Sequence, residues 1–417
     1  MEFSRFGQKF GGPSGISELM DDLASALQDE PAPLFMGGGN PGRSPEAVEM
    51  FASRLGAIAG DWDRAHEMLG VYQPPRGDLA FRRELASELK RRFSWDVTAD
   101  HIAISNGSQT AVFTIYNMFA GGMPDGGHRH IHLPMSPEYV GYRDTGLDDD
   151  FFRSTRPTLE KRSDGFFRYL PDFDALDRVA DIGAFSISRP SNPTGGMISD
   201  EELDRLDDLA RERNVPLILD GAYGLPFPSL VYTDASPLWN ENTVLLLSLS
   251  KLGLPGLRTG IVVAHPEIAE AFARANTVIS LATGSLGPLL LRGSLEDGSL
   301  DRLCADTLKP FYLERRALAL EAIAAGRGDL PVYVHEPDGA FFLWLWCEGL
   351  PIDSRELYGR LKERGLIVLP GNEFFIGLDQ PWDHERECLR LSYAGEPDTI
   401  KQGVGILMDE LHRCYHG

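Results

Sequence analysis

The chain has 417 residues, more than a single hydrophobic core usually serves, and its 42% apolar content suits one large and one smaller packed core rather than a disordered chain. A formal net charge of −22 argues against nucleic acid or an anionic membrane surface as the main partner, so an anionic ligand would need a local cluster of cations and amides. Cys304, Cys347, Cys388 and Cys414 are scattered without a C-x-x-C pair, which points to neither a disulfide framework nor a zinc site.

Ser14 is placed to cap a first helix through about Gln28. Residues 1–15 lack a basic start followed by an apolar core, and no stretch reaches the length of a membrane span, so an unexported, cytoplasmic protein is expected. Residues 34–41, Leu-Phe-Met-Gly-Gly-Gly-Asn-Pro, read as a short strand breaking into a glycine turn. From about Gly77 helical and strand patterns alternate: helix 79–92, strand 101–105, helix 108–120, strand 130–133, strand 183–188, helix 200–213, strand 215–220 and the apolar run 244–247. Alternation of this kind means an α/β fold with a mostly parallel sheet and helical crossovers. After a helix near 310–325 the pattern changes to strands 331–335 and 340–346, helix 354–364, strands 366–369 and 388–393, and a final helix, which together read as a smaller α+β domain. The expected division is an N-terminal arm joined to the small domain (1–50), a large domain (51–310) and a small C-terminal domain (311–417).

In open α/β sheets ligands bind beyond the carboxyl ends of the strands, and polar residues of unusual type fall at those ends here. Asn106-Gly107-Ser108-Gln109 follows a strand and opens a helix, which makes either an anion site of backbone amides and hydroxyl or an ordinary helix cap. Pro137-Glu-Tyr139 places an aromatic after a strand, to stack on a ring or to pack in the core. Asn192, in the turn Ser191-Asn-Pro-Thr-Gly195, offers an amide to an oxygen ligand or simply starts a turn. Asp220 ends a strand with Tyr223 three residues later; a carboxylate there suits a protonated ring nitrogen, and also suits a turn. Arg390, in an alternating strand of the smaller domain, has the planar fork for a carboxylate or for a structural ion pair.

Lys251 is the most telling position. The apolar run before it is a buried strand, and Gly253, Pro255 and Gly256 after it deny a regular helix, so the lysine stands at a strand end. Ser248, Ser250 and Arg258 surround it in sequence, a set that suits a phosphate ester, and neighbouring positive charge lowers an amine's pKa toward that of a Schiff-base lysine. An exposed loop lysine beside a loop arginine is the plain alternative. His128, His130 and His132 alternate on a strand without an acidic or cysteine partner and read as a polar strand edge rather than a metal face. The turn Gly37-Gly-Gly39 lacks the Gly-Lys-Ser/Thr of a phosphate-binding loop.

Taken together and in this order, these motifs resemble the fold-type-I pyridoxal-phosphate aminotransferases across essentially the whole chain. The resemblance is carried by Phe3-Ser-Arg-Phe-Gly-Gln-Lys-Phe10, Met36-Gly-Gly-Gly-Asn-Pro41, Ser188-Arg-Pro-Ser-Asn-Pro-Thr-Gly195, Ala222-Tyr-Gly-Leu-Pro-Phe-Pro228, Ser248-Leu-Ser-Lys-Leu-Gly-Leu-Pro-Gly256 and Phe341-Phe-Leu-Trp-Leu-Trp346. It implies that Lys251 attaches the cofactor pyridoxal 5'-phosphate and moves the substrate proton, that Asp220 meets the ring nitrogen, and that Asn192 and Tyr223 meet the ring's phenolate oxygen. It further implies that Tyr139 stacks on the ring, that Gly107, Ser108, Gln109, Ser248 and Arg258 hold the phosphate, and that Tyr72 reaches in from a second subunit of a homodimer with shared active sites. Arg390, helped by backbone near Gly39, would receive the substrate carboxylate. The interval from Lys251 to Arg258 is one residue shorter than in many members and matches other branches. The implied activity is a ping-pong transfer with L-valine as donor and pyruvate as acceptor. Other amino acids, or β-elimination with the same cofactor, form the nearer alternative, while a DNA-binding regulator would need a basic helix-turn-helix ahead of the body, which the sequence does not show.

Overall fold

The computed structural model describes residues 2–12, 32–162 and 164–417; the helix expected at 14–28 lies outside them. An eight-stranded sheet forms the centre, in the order Ile102–Ser105, Gly260–Val263, Thr243–Ser248, Leu217–Asp220, Ile182–Ser188, His128–Leu133, Gly121–Gly122, with Phe152–Ser154 also paired to His128–Leu133. The run from Thr243–Ser248 to His128–Leu133 is parallel throughout, with the crossovers expected of alternating helices and strands. The continuous apolar runs follow from burial on both faces. Leu217, Leu219, Leu245 and Leu247 pack into one core with helices Leu79–Phe93 and Asp200–Glu212, whereas Ile218, Val244 and Leu246 pack into a second with Ser108–Phe119 and Pro266–Ser280. Each such leucine contributes about 1.5–3 kcal/mol by leaving water.

Local chemistry sets the helix starts. Asp78 accepts from the Phe81 N–H at 2.7 Å and opens Leu79–Phe93, and Ser199 with Glu202 forms a reciprocal cap on Asp200–Glu212. Helices Pro45–Gly60 and Trp62–Gly70 bury few residues and went unanticipated, as did the strand Gly260–Val263. That strand runs antiparallel to both neighbours, with Ser248 opposite Gly260 and Gly260 opposite Ser105. The segment holding Lys251 and Arg258 is therefore the loop of a hairpin, and its return leg brings Arg258 back beside residues 105–108.

A second sheet of six strands runs Leu369–Pro370, Cys388–Ser392, Phe342–Cys347, Val332–His335, Phe166–Leu170, Thr158–Lys161. The hairpin 158–170, absent from the elements expected from sequence, hydrogen-bonds into this sheet beside the C-terminal strands. Leu34–Phe35 pairs in parallel with Leu366–Ile367, and the Met36 carbonyl accepts from the Ser392 N–H at 2.7 Å. These bonds fix the glycine turn 37–39 between the two sheets. Among the described residues, no helix is long and apolar enough to cross a membrane.

Candidate active site

The carboxyl ends of the central strands open on a cavity of about 470 Å³. Its lining brings together Gly39, Ser108, Gln109, Tyr139, Asn192, Asp220, Tyr223, Ser248, Lys251, Arg258 and Arg390. Residues far apart in sequence meet here because Ser188 stands opposite Asp220 in one strand pair and Ser248 reaches Ser105 through Gly260 in the others. The charged side chains in the lining are three cations, Lys251, Arg258 and Arg390, and one carboxylate, Asp220. A positively charged cavity in a chain of net charge −22 is the local cluster that an anionic ligand requires.

Lys251 leaves the strand in a 3₁₀ turn, Ser250–Leu252, closed by Gly253 at φ 99°. Its Nζ donates to the Gly39 carbonyl at 2.7 Å and lies 5.2 Å from the centre of the Tyr223 ring. Burial, with the Arg390 and Arg258 guanidiniums adding to it against the opposing Asp220, lowers its ammonium to about 8. The neutral amine therefore predominates above that pH. Brief acylation of cofactor-free protein followed by peptide mass spectrometry is expected to label Lys251 at half its maximal rate near pH 8, where an ordinary lysine needs about 10.5. A half-maximal rate at the ordinary value would show that the side chain is solvated.

Helix Ser108–Phe119 begins at Gly107 without a side-chain cap, which leaves its first N–H groups directed at the cavity end. Gly107 has φ 96°, and a Cβ there would stand 2.3 Å from Arg258 Nη2, so the arginine packs where a side chain would be. Among the described residues the Arg258 guanidinium has no hydrogen-bonded or ion-paired protein partner. Helix amides, two hydroxyls and a free guanidinium are a donor set fit for a phosphate.

Asp220 is buried, and burial raises its carboxyl above the usual range. Tyr142 Oη donates to its Oδ2 at 2.7 Å and the Ala222 N–H to its Oδ1 at 3.0 Å, and these bonds with the Lys251 charge act in the opposite direction. Tyr142 was missed in the sequence. The available signal was its place three residues after Tyr139, since Val140–Tyr142 is a 3₁₀ turn in which such residues share a side. Tyr139 and Tyr142 meet edge to face at 5.3 Å.

Arg390 is 3% exposed and, among the described residues, has no carboxylate partner. Its Nη1 donates to Asn192 Oδ1 and its Nη2 to the Gly37 carbonyl, both at 2.7 Å, over the rings of Phe342 and Phe374. Among the described residues its buried Nε has no hydrogen-bond partner. With its carbonyl turned to the arginine, Asn192 keeps its amide N–H groups for the cavity. Burial lowers the guanidinium to about 10, so it stays charged at neutral pH.

Tyr72 is not among these residues: it is 80% exposed on its own chain and does not line the cavity. Of the alternating histidines, His128 and His130 bring their ring centres to 5.0 Å of each other. His132 is buried with Nε2 2.8 Å from Thr155 Oγ1, while His130 Nδ1 meets the Asp150 carbonyl at 2.8 Å. Among the described residues the side chains grouped closely enough to share an ion are Asp329, His412 and His416, and none lines the cavity.

Residues 166–407 match the family model of the class I and II aminotransferases. Over 418 aligned residues the chain is 44% identical to the valine–pyruvate aminotransferase of Escherichia coli (strain K12), with 100% of this chain and 99% of that protein covered. The crystal structure of the valine–pyruvate aminotransferase AvtA from Salmonella typhimurium LT2 superposes with a TM-score of 0.89 at 41% identity, covering 97% of this chain and 100% of that one. A 2-aminoadipate transaminase of Thermus thermophilus is 28% identical over 94% of this chain and 92% of its own length.

Proposed function

The chain belongs to the class I and II aminotransferases, and from that premise we propose that it exchanges an amino group between L-valine and pyruvate, giving 2-oxoisovalerate and L-alanine, with pyridoxal 5'-phosphate as cofactor. The observation that carries this reading is the placement of a buried amine, Lys251, between a carboxylate, Asp220, and a second buried cation, Arg390, in one cavity. Gly107, Ser108, Gln109, Ser248 and Arg258 would hold the cofactor phosphate, Tyr139 its ring face, and Asn192 and Tyr223 its phenolate oxygen. When bound, the cofactor supplies a ring that takes up the electron pair left as a proton leaves the substrate α-carbon. Asp220, fixed by Tyr142 and the Ala222 N–H, holds a proton at the ring nitrogen. Lys251 Nζ, neutral above about 8, would take the α-proton and give it back on the far side of the transferred nitrogen. Arg390 binds the substrate carboxylate and so orients the α-carbon toward that amine.

The apolar lining supports a small aliphatic side chain. Phe35, Val112, Val140 and Leu369 face the cavity, and among the described residues its cations are those already assigned to amine, phosphate and α-carboxylate. Exposed apolar side chains support a homodimer that shares its sites: Trp62 is 86% exposed, Leu69 80% and Val278 88%, and Tyr72 is free to reach a neighbouring chain.

The test is to add amino acids to the cofactor-loaded protein without an acceptor and then to supply pyruvate. L-valine and L-alanine are expected to convert the bound cofactor's absorbance, L-aspartate is not, and pyruvate is expected to reverse the change with recovery of L-alanine. Conversion by aspartate alone would overturn the substrate assignment, and release of ammonia without an acceptor would overturn transfer. Substituting Gly107→Ala is expected to weaken cofactor binding by about tenfold or more while the protein stays folded, because the new Cβ displaces Arg258 and the backbone stays at positive φ. Equilibrium binding of pyridoxal phosphate to stripped protein measures this, and unchanged affinity would remove Arg258 from the phosphate site.

A further inference from the structure

Glu138 does not line the cavity, yet it is 2% exposed and touches the machinery around it from three directions. Its Oε1 accepts from the Ser188 N–H at 2.9 Å, and its Oε2 accepts from Ser188 Oγ at 2.6 Å and the Tyr139 N–H at 3.2 Å. Ser188 Oγ in turn accepts from the Asn192 N–H at 3.3 Å, and Asn192 Oδ1 accepts from Arg390 Nη1 at 2.7 Å. On the other side, the Glu138 N–H donates to the carbonyl of Phe374, whose ring lies 5.1 Å from the Arg390 guanidinium carbon. A buried carboxyl group without a cationic partner is costly unless hydrogen bonds hold it. Those bonds link the end of strand Ile182–Ser188, the Tyr139 loop and the second sheet.

We propose that Glu138 is a positioning residue for substrate binding: through Ser188 it holds Asn192 in the orientation that meets Arg390, and thereby sets the aim of the arginine at the substrate carboxylate. The proposal rests on the reading of Arg390 as the carboxylate site. Burial pushes the Glu138 carboxyl up to about 8, against the pull of the Ser188 and Tyr139 donors. The link does not depend on that charge, because the Glu138–Ser188 hydroxyl bond exists with the proton on either oxygen. A glutamine loosens the anchor: its amide can still bond the Ser188 hydroxyl, but in either orientation it sets an N–H against the N–H of Ser188 or of Tyr139, so one of the backbone bonds that fix the group is lost.

The experiment compares Glu138→Gln, Ser188→Ala, the double variant and Arg390→Lys in the cofactor-loaded enzyme. Each of the first two is expected to raise KM for the amino acid and for the oxo acid in parallel, by about tenfold, with kcat changed less than about threefold. The double variant is expected to be no worse than the more impaired single one, because both cut the same chain. A loss of folded protein alone would lower the active fraction and leave KM where it was. Glu138→Asp, which keeps the acceptor, is expected to recover part of the loss.

Unchanged KM in Glu138→Gln, a fall confined to kcat, or full additivity in the double variant would overturn the proposal. If Glu138→Gln does not fold, Ser188→Ala carries the test by the same criteria. Should Arg390→Lys also leave KM unchanged, the carboxylate reading itself fails; should Arg390→Lys raise KM while Glu138→Gln does not, only the Glu138 link fails.

Discussion

Replacing Lys251 with alanine is expected to lower the rate of amino-group transfer by about 10⁴-fold or more, without lowering the melting temperature of the cofactor-free protein. The first half follows from position. Lys251 is the one lysine among the described cavity residues, and its Nζ lies against Gly39 and Tyr223 with Asp220 and Arg390 near enough to move its pKa. Among the described residues of the lining no other side chain can hold and return a proton in its place, because burial pushes the Tyr139 and Tyr223 hydroxyls above their ordinary value and keeps them protonated. Serine hydroxyls are too weak as bases, Asp220 is engaged by Tyr142 and the Ala222 N–H, and both arginines remain charged at neutral pH.

The second half is a matter of sign. The folded protein lowers the Lys251 ammonium below its usual value, so at pH 7, where folded and unfolded chains both carry the proton, the charged side chain is less comfortable in the fold than in water. That cost is relieved only as the pH rises through about 8 toward the unfolded value, and alanine removes it at all pH values. Loss of the bond to Gly39 costs little, since that carbonyl faces the cavity. Steady-state assays and thermal denaturation check the two halves together. Residual activity within tenfold of the parent would mean that another group moves the proton.

The strand-end residues were legible because strand ends announce themselves. Apolar runs broken by Asn-Gly, Asn-Pro or Gly-Leu-Pro-Gly mark where the chain leaves the sheet, and parallel strands leave it on one side. Arg390 was legible for a different reason, as a cation in an otherwise apolar strand. What lay hidden were groups defined by their neighbours in space. Tyr142 and Glu138 flank Tyr139 in a loop with no periodic pattern, and what they do depends on Asp220 and Ser188, 78 and 50 residues away. The hairpin 158–170 alternates buried and half-buried residues over only five positions in its second strand, too short to distinguish from a loop, and its partner Val332–His335 lies far along the chain. Strand Gly260–Val263 is four residues long, and its antiparallel direction is set by the hairpin around Lys251 rather than by its own composition.

Arg390→Lys is expected to reduce kcat/KM for the amino acid by roughly 10²- to 10³-fold, about 3–4 kcal/mol, chiefly through KM. The charge is kept by this change, so the loss tests geometry. The guanidinium divides its donors between Asn192 and Gly37 while its carbon lies 4.3 Å from the Phe342 ring centre, and the N–H groups left on its two terminal nitrogens remain for a planar acceptor. A lysine amine is a single point on a flexible stem; it cannot bond Asn192 and Gly37 together and still present two parallel donors to a carboxylate. One buried acceptor then loses its partner in the free enzyme, and the substrate loses its bidentate contact in the complex. Because the arginine keeps its charge until about pH 10, the parent's KM should not rise with pH across the neutral range. Equal losses for amino acid and oxo acid are expected, since both carry the same carboxylate. A loss limited to one of them would place Arg390 against the amino or keto group instead.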